Sequence, residues 1–327
     1  MTDNVQLLGI SNAIVDVLSH VDSTFLENIG AEPGSMTLID LDRAHDIYNR
    51  MGPATEMSGG SVANTIAGFA ILGGTTAYIG KVRDDQLGRI FNHDMKSLGV
   101  DIRLPKAANG APTARSHVLI TADGQRTMQT YLGACTELGL ADVTDETIGA
   151  PRAILIEGYV WDIAEGPALA KQAADIAHAA GSKVALSLSD SFCVERHHES
   201  FSHFVANDTD IVVADEDEVY ALLGTPGIEE AIDVLQRRET LFAITRSEKG
   251  SVIVRGDEHV IQSAAHVENV VDTTGAGDAY AAGFLYGWAN DLPLGHCAQY
   301  GTHCATRVIQ QLGARIEPGL LDGFEVL

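Results

Sequence analysis

The stretch DTTGAGDAYAAGFLYGW, residues 272–288, places three small residues directly ahead of an aspartate. Small and apolar residues follow at helical spacing, with Phe284, Leu285 and Trp288 on one side, so a helix is expected to start near Gly277 and Asp278. The first amides of a helix have no intrahelical acceptor and point along its axis. Glycine lets the backbone approach a ligand closely. The amides of Gly275, Ala276 and Gly277 therefore form a candidate anion site. Asp278 then has two readings. It caps the helix, or it takes a proton from an attacking hydroxyl while the amides hold a phosphoryl group as its charge develops. Gly-rich turns also open helices in dinucleotide-binding folds and at tight packing sites, so this stretch leaves both readings open.

Three further stretches carry polar groups where ligands collect. In SGGSVANTIAGFAILGG (58–74), Gly59 and Gly60 precede a helix whose Asn64 either aims its amide at a hydroxyl or sits as an ordinary first-turn residue. In GISNAIVDVLSHVD (9–22), Asn12 and Asp16 follow the first strand, where α/β sheets bind ligands. Asp16 either accepts both hydroxyls of a cis-diol or is a polar residue of a turn or strand edge. In DIVVADEDEVYALLG (210–224), Asp215 and Glu218 lie three apart on one helix face. They either hold Mg²⁺ through water or favour the helix dipole.

Composition narrows the partners. The chain has 327 residues and is 45% hydrophobic with 6% aromatics, which allows a sizeable aliphatic core. With 45 acidic against 21 basic residues the net charge is −24, which disfavours nucleic acid and anionic lipid as partners. Any anionic ligand then needs backbone amides, a metal or a placed arginine. No phosphate-binding G-x-x-x-x-G-K-[ST], no G-x-G-x-x-G after the first strand and no protein-kinase V-A-I-K or H-R-D is present. Cys135, Cys193, Cys297 and Cys304 make no C-x-x-C. His296, Cys297, His303 and Cys304 sit in an alanine-rich apolar run, where core packing is the expected role. Free thiols, the absence of a signal-like start and the lack of any apolar run of about 18 residues lead to the expectation of a cytoplasmic, non-membrane protein.

Placing these residues requires a regular scaffold. Strands are expected at 5–10, 36–40, 75–80, 153–158, 183–188, 210–214 and 241–245, with hairpins at 116–132 around ADGQ and at 251–262. Helices are expected at 41–51, 61–72, 86–99, 166–181, near 199–206, at 217–224 and 228–238, and at 277–289 and 294–312. That alternation implies a mainly parallel sheet covered on both faces. The hairpin at 116–132 and the strand near 36–40 break the rhythm and suggest a small β insert on a single domain.

GGSVAN and DTTGAGDAYAAGFL together resemble the two signatures of the PfkB-type, ribokinase-like carbohydrate and nucleoside kinases. The likeness runs over essentially the whole chain. Through GISNAIVDVLS, SMTLID, MGPATEMSGGSVANT, PTARSHVLIT, TYLGAC, EGYVWD and LSLSDSFCV it is most similar to the bacterial adenosine kinases. The resemblance implies one domain over 1–327, a three-layer α/β/α sandwich with a small β-sheet lid from about 12–41 and 104–132. It implies ATP and Mg²⁺ as cofactors and transfer to the 5′-hydroxyl of a nucleoside, adenosine to AMP, by a monomer or homodimer. Asp278 becomes the base, and Gly275, Ala276 and Gly277 the anion hole. Asp16, Asn64, Gly59 and Gly60 grip the sugar diol beside Asn12, and Arg126 is a lid arginine that swings onto the phosphates. Thr245, Ser247, Gly250 and Thr274 border the nucleotide, and some relatives hold a monovalent cation near positions matching Asp272 and Thr274. The family's N-x-x-E is here Asp215 to Glu218, and Ser247 replaces the glycine of T-x-G-x-x-G. Ile14, Met36, Met128, Leu132, Tyr159 and Trp161 are candidates for sandwiching a purine, or else packing. The alternatives are a kinase of a free sugar or sugar acid (ribose, fructose, 2-keto-3-deoxygluconate) and a nucleotide sensor without turnover.

Overall fold

The aliphatic runs line up side by side as strands. A computed structural model describes residues 5–321, 324 and 326. The chain begins with β1 (Leu7–Ile10), β2 (Ile14–His20), α1 (Ser23–Ile29), β3 (Met36–Leu38), α2 (Leu41–Arg50), β4 (Thr55–Gly59) and α3 (Ser61–Ile71). It continues through β5 (Thr76–Ile79), α4 (Gln86–Ser97), β6 (Asp101–Ile102), β7 (Ala114–Ile120), β8 (Arg126–Tyr131), α5 (Asp145–Ile148) and β9 (Ala153–Glu157). Next come α6 (Gly166–Ala179), β10 (Lys183–Ser187), α7 (Ser191–Arg196), α8 (His198–Asn207), β11 (Ile211–Asp215), α9 (Glu216–Leu223) and α10 (Ile228–Leu235). The last elements are β12 (Leu241–Thr245), β13 (Ser251–Arg255), β14 (Glu258–Gln262), α11 (Ala276–Ala289) and α12 (Leu294–Val308).

Nine strands form the large sheet in the order β14-β13-β12-β11-β10-β9-β1-β5-β6. Its pairs are parallel except β12 with β13 and β13 with β14. Alternate residues point to opposite faces. Leu8, Ile10, Ile154, Ile156 and Leu186 pack in one apolar cluster, while Leu7, Ala153, Leu155 and Ala185 pack in the other. Helices cover both faces, as expected. The α3 segment, expected to carry a single apolar stripe, is buried at every position from Val62 to Phe69. It lies between β1 and α11, where a Cβ on Gly68 would stand 2.9 Å from the Ala282 methyl.

A second sheet of five strands runs β3-β8-β7-β2-β4. The ADGQ hairpin forms as expected, with Ile120 opposite Arg126. Within this sheet, β2 and β3 come from inside 12–41 and β7 and β8 from inside 104–132, while β4 lies outside both. The β2 and β4 strands carry no long apolar run. In β2 only Val15, Val17 and Ser19 are buried, alternating with Asp16 and Leu18. Short amphipathic strands of this kind give little signal beside a polar residue read for its chemistry. Just three residues separate β1 from β2, so the small sheet grows directly out of the centre of the large one.

Two cysteines pack between the last two helices. Cys297 and Cys304 are fully buried in α12, and α11 meets them through glycines: a Cβ on Gly283 would lie 2.8 Å from Cys304 Sγ and 2.4 Å from the Tyr300 carbonyl oxygen. No helix among the described residues is long and apolar enough to cross a membrane. Gly283→Ala should test this packing. Helix propensity favours Ala by about 1 kcal/mol, but the clash with backbone oxygen is expected to dominate and to cost about 1–3 kcal/mol net. Urea unfolding should show a lower midpoint at unchanged slope; a stabilised variant would mean that α11 and α12 can part freely.

Candidate active site

The C-terminal ends of β1, β9, β10, β11 and β12 converge on one side of the large sheet. There Glu157 is paired in register with Ser187, and Asp215 with Thr245. The β1 strand lies between β5 and β9, so the chain leaves it in both directions and a crevice opens beyond its end. The amino end of α11 points into this crevice.

That end is built by a left-handed residue. Gly275, at φ +75°, is the N-cap of α11, and a Cβ there would stand 2.5 Å from Ala314. Its glycine is therefore required by backbone conformation and packing. The Ala276 amide, expected to be free, donates to the Thr273 carbonyl at 3.2 Å, so the helix turn satisfies it locally. The amides of Gly277 and Asp278 have no acceptor among the described residues. The side chain of Asp278 does not cap its own helix. Its Oδ1 accepts from Ser61 Oγ at 2.6 Å and its Oδ2 from Asn64 Nδ2 at 2.9 Å. Burial raises its pKa, while those two donors and Arg315 act against the rise. Asn64, expected to face a hydroxyl, thus spends one amide hydrogen on Asp278, and its Oδ1 is buried without a partner.

Asp16 lies across from this group. Its carboxylate accepts no hydrogen bond from a side chain or backbone amide among the described residues, and a Cβ on Gly59 would come within 2.3 Å of its Oδ2. Gly60, at φ +96°, would bring a Cβ to 2.6 Å from the Asn12 carbonyl. Both glycines are fixed by the close approach of β4 to Asp16 and Asn12. Burial pushes Asp16 up to about 6, against the pull of Arg315 and Arg126. Asn12 is buried with its Oδ1 unpaired.

Two buried groups of this crevice escape a sequence reading. Glu157, 1% exposed at the end of β9, is pushed up to about 8 by burial and carries an unpaired Oε2. Arg315 donates through Nε and Nη2 to the Ser58 carbonyl at 3.0 and 2.8 Å, through Nη2 to Ser58 Oγ at 2.9 Å, and through Nη1 to the Ala63 carbonyl at 2.9 Å. It thereby clamps the Gly59-Gly60 turn and the start of α3. The sequence offers only an acid ending an otherwise apolar strand and an arginine in a C-terminal loop, which is weak warning of either role.

A cleft of about 850 Å³ runs from Asp278, Gly277 and Ser61 past Asp215 and Glu218 to Thr245, Ser247 and Gly250. Asp215 and Glu218 form a capping box: Asp215 Oδ1 accepts from the Glu218 amide at 2.8 Å, and Glu218 Oε2 from the Asp215 amide at 3.0 Å. One oxygen of each is left over. Burial, then the neighbouring Asp215, pushes Glu218 up to about 8. Ser247 holds φ +50°, the left-handed region that favours the glycine it replaces. At Gly250, φ is +90° and a Cβ would sit 2.0 Å from the Gln262 carbonyl oxygen. Thr273 lines the cleft where Thr274 was expected; the Thr274 amide instead donates to Asp272 Oδ1 at 3.0 Å.

Arg126 departs most from expectation. It is buried and ion-paired with Asp272, whose Oδ2 also accepts from the Gly313 amide at 2.9 Å. Asp272 thus already has its counter-charge where a monovalent cation was expected. Of the apolar candidates, Trp161 belongs to the core, stacked on Phe201 at 4.5 Å with its Nε1 donating to Ser200 Oγ at 2.9 Å. Tyr159 is half-buried, its hydroxyl near the Ser189 carbonyl at 3.4 Å. Ile14, Met128 and Leu132 are half-buried on or beside the small sheet, and Met36, paired in register with Met128, is exposed.

The profile described as "pfkB family carbohydrate kinase" matches residues 34–318. The structure is similar to that of an adenosine kinase from Sinorhizobium meliloti, at 46% identity and TM-score 0.90, covering 98% of each chain. It is also similar to a probable sugar kinase from Rhizobium etli, at 42% identity and TM-score 0.90, covering 98% of this chain and 97% of that one. A 5-dehydro-2-deoxygluconokinase from Geobacillus kaustophilus is 27% identical over 285 residues, 83% of this chain and 85% of the relative.

Arg315 can be tested by two replacements. Arg315→Met leaves two backbone carbonyls and nearby carboxylates without their cation and should cost about 3–5 kcal/mol of stability. Arg315→Lys keeps the charge but not the fork of donors, so it should recover only part of that loss. Equal stability of the Lys variant and the wild type in urea would show that charge alone matters.

Proposed function

The chain belongs to the pfkB family of carbohydrate kinases, and within it we propose transfer of a phosphoryl group from ATP to the 5′-hydroxyl of a nucleoside, adenosine first. One observation carries the proposal: Asp278 is held by Ser61 and Asn64 at the open amino end of α11, where the cleft ends. A carboxylate fixed in this way, beside free amides, suits proton removal from a hydroxyl that attacks a phosphate.

In the proposed step the substrate CH₂OH loses its proton to Asp278. Its oxygen forms the new bond to the γ-phosphorus as the bond to the β-phosphate oxygen breaks, and ADP keeps that electron pair. The Gly277 and Asp278 amides donate to the phosphoryl oxygens as charge builds. Asp16 accepts the two ribose hydroxyls, with Asn12 and the turn at Gly59 and Gly60 fixing their distance. Thr245, Ser247 and Gly250 border the nucleotide. The spare oxygens of Asp215 and Glu218 would hold Mg²⁺ through water, and a cation bound there would neutralise phosphate charge. Arg126 reaches the phosphates only by leaving Asp272, which makes that pair the resting place of a lid arginine. Closure of the small sheet over the crevice would keep water from competing as acceptor.

The nucleoside reading draws on the similarity to the S. meliloti adenosine kinase and on Ile14, Met128, Leu132 and Tyr159 near the small sheet. A second reading, a kinase of a free sugar or sugar acid, draws on the relatives named as 5-dehydro-2-deoxygluconokinases. Coupled ADP release with Mg-ATP separates them. Adenosine, and not inosine, ribose, fructose, 2-keto-3-deoxygluconate or 5-dehydro-2-deoxygluconate, should be turned over efficiently. Turnover of a free sugar alone would leave the chemistry at Asp278 and overturn the nucleoside.

Asp278→Asn should fold normally and lose at least about 100-fold in kcat; near-wild-type turnover would remove Asp278 from the role of base. The pH profile offers an independent check. Asp16 must be ionised to accept two hydroxyls, and burial has moved it up to about 6. The value of kcat/KM should therefore fall as pH drops below about 6, and a flat profile down to pH 5 would contradict that role.

A further inference from the structure

We propose that Asp162, Cys193 and His197 form a binding site for one divalent transition-metal ion of the zinc type, separate from the cleft. Asp162 closes the 3₁₀ turn Gly158–Asp162 that follows β9. Cys193 lies in α7, and His197 is the residue that caps its C-terminus. Four residues apart, they occupy one helix face. A carboxylate oxygen, the Cys193 Sγ and a His197 ring nitrogen all lie within 4.8 Å of one another. No other set of three or more His, Cys, Asp or Glu converges in this way among the described residues.

The donor types select the ion. Sulfur, nitrogen and oxygen together match zinc and its neighbours, with a fourth position left for water. Mg²⁺ prefers an all-oxygen shell, which the cleft offers and this cluster does not. The contacts already present account for only part of the cluster. His197 Nε2 meets Asp162 Oδ1 at 2.7 Å, and Arg196 donates to the same carboxylate through Nη2 to Oδ2 at 2.7 Å and through Nε to Oδ1 at 3.3 Å. Neither uses the thiol, which among the described residues hydrogen-bonds only to the Gly158 carbonyl, at 3.6 Å. The Arg196 side chain is 52% exposed, so it can turn to water and release Asp162. On binding, a metal–sulfur bond forms, the thiol proton leaves to solvent, and His197 binds through a neutral ring nitrogen.

The site sits behind the cleft wall. The Gly158 amide donates to Ser189 Oγ at 2.9 Å, and Ser189 lines the cleft. Asp190 caps α7 through the amides of Phe192 and Cys193. A metal at Asp162, Cys193 and His197 would therefore tie the turn after β9 to the segment that carries Ser189.

The test uses the full chain stripped with a chelator. Zn²⁺ is titrated against a chromophoric competitor, and Co²⁺ is followed by absorbance. One ion per chain is expected, with a thiolate-to-cobalt charge-transfer band. Cys193→Ser should abolish the band, and His197→Gln should weaken binding by about 100-fold or more, since even second-shell changes cost 10–100-fold. Circular dichroism and metal-stripped Mg-ATP turnover should be unchanged in both variants. If Cys193→Ser does not fold, the affinity of His197→Gln decides alone. Absence of the band in the wild type, undiminished binding by the folded variants, or loss of binding in Asp215→Asn instead would each overturn the site.

Discussion

Carboxyl groups held together around one crevice, away from bulk water, are the constraint on which this site depends. Asp16, Glu157 and Asp278 are all shifted upward by burial, and the fully enclosed Arg315 pulls Asp16 and Asp278 back down. Arg315 does this without contacting either acid at hydrogen-bond distance. It is spent instead on the carbonyls of Ser58 and Ala63, which fixes the turn that brings β4 against Asp16. Charge and backbone geometry are thus set by one side chain. The arrangement acts against stability at neutral pH. A carboxyl with a folded pKa above its usual 3.8, such as Asp16 at about 6, binds more protons folded than unfolded in that window, so stability falls as pH rises through it. Glu157 and Glu218, both near 8, extend the effect upward. Such opposition to folding is expected where binding is prepared in advance.

Much of the fold was legible because parallel strands buried on both faces read as aliphatic runs. AILIE, KVALS, DIVVA and LFAIT announced themselves, and the helices between them followed from periodicity. The small sheet was legible only at its Asp-Gly hairpin and at 36–40. The β2 strand was obscured because its sequence alternation is broken by Ile14 and Leu18, which share a face with Asp16, and by Ser19 on the buried face, and β4 because TEMSG has almost no apolar content. At the site, the position of Asp278 could be read from the glycines before it. Their separate duties could not. Gly275 serves a left-handed cap packed on Ala314, and only Gly277 of the three leads into the cleft with a free amide. Arg126 on Asp272, Arg315 under the Gly59 turn and the buried Glu157 near Ser11 depend on contacts between residues far apart in sequence, and no local pattern encodes them.

The two walls of the cleft are stabilised differently. The wall of Asp215 and Glu218 is a helix start that satisfies its own amides through reciprocal capping, so its geometry needs no ligand to hold it. The wall at Ser247 and Gly250 holds two residues of positive φ at either end of a 3₁₀ turn, one of them a serine where the resemblance gives glycine. Such a residue is kept in place only by its surroundings. Arg246 and Lys249, both bound to Glu216 at the first turn of α9, supply that restraint. The more strained wall is thus braced by the self-sufficient one.

The chain passes between its two sheets four times: from β1 to β2, from β4 to β5, from β6 to β7 and from β8 to β9. The small sheet is therefore not a module in the genetic sense. No contiguous segment contains it without also carrying β5 and β6 of the large sheet, so it cannot be excised, transplanted or shuffled as a cassette into a related scaffold. Any change in its reach or tilt must be inherited together with its junctions to the large sheet, two of which, at Asn12 and Gly60, stand beside Asp16. Covering and contents of the site are in this sense under one lineage, and variation in one is filtered through the other.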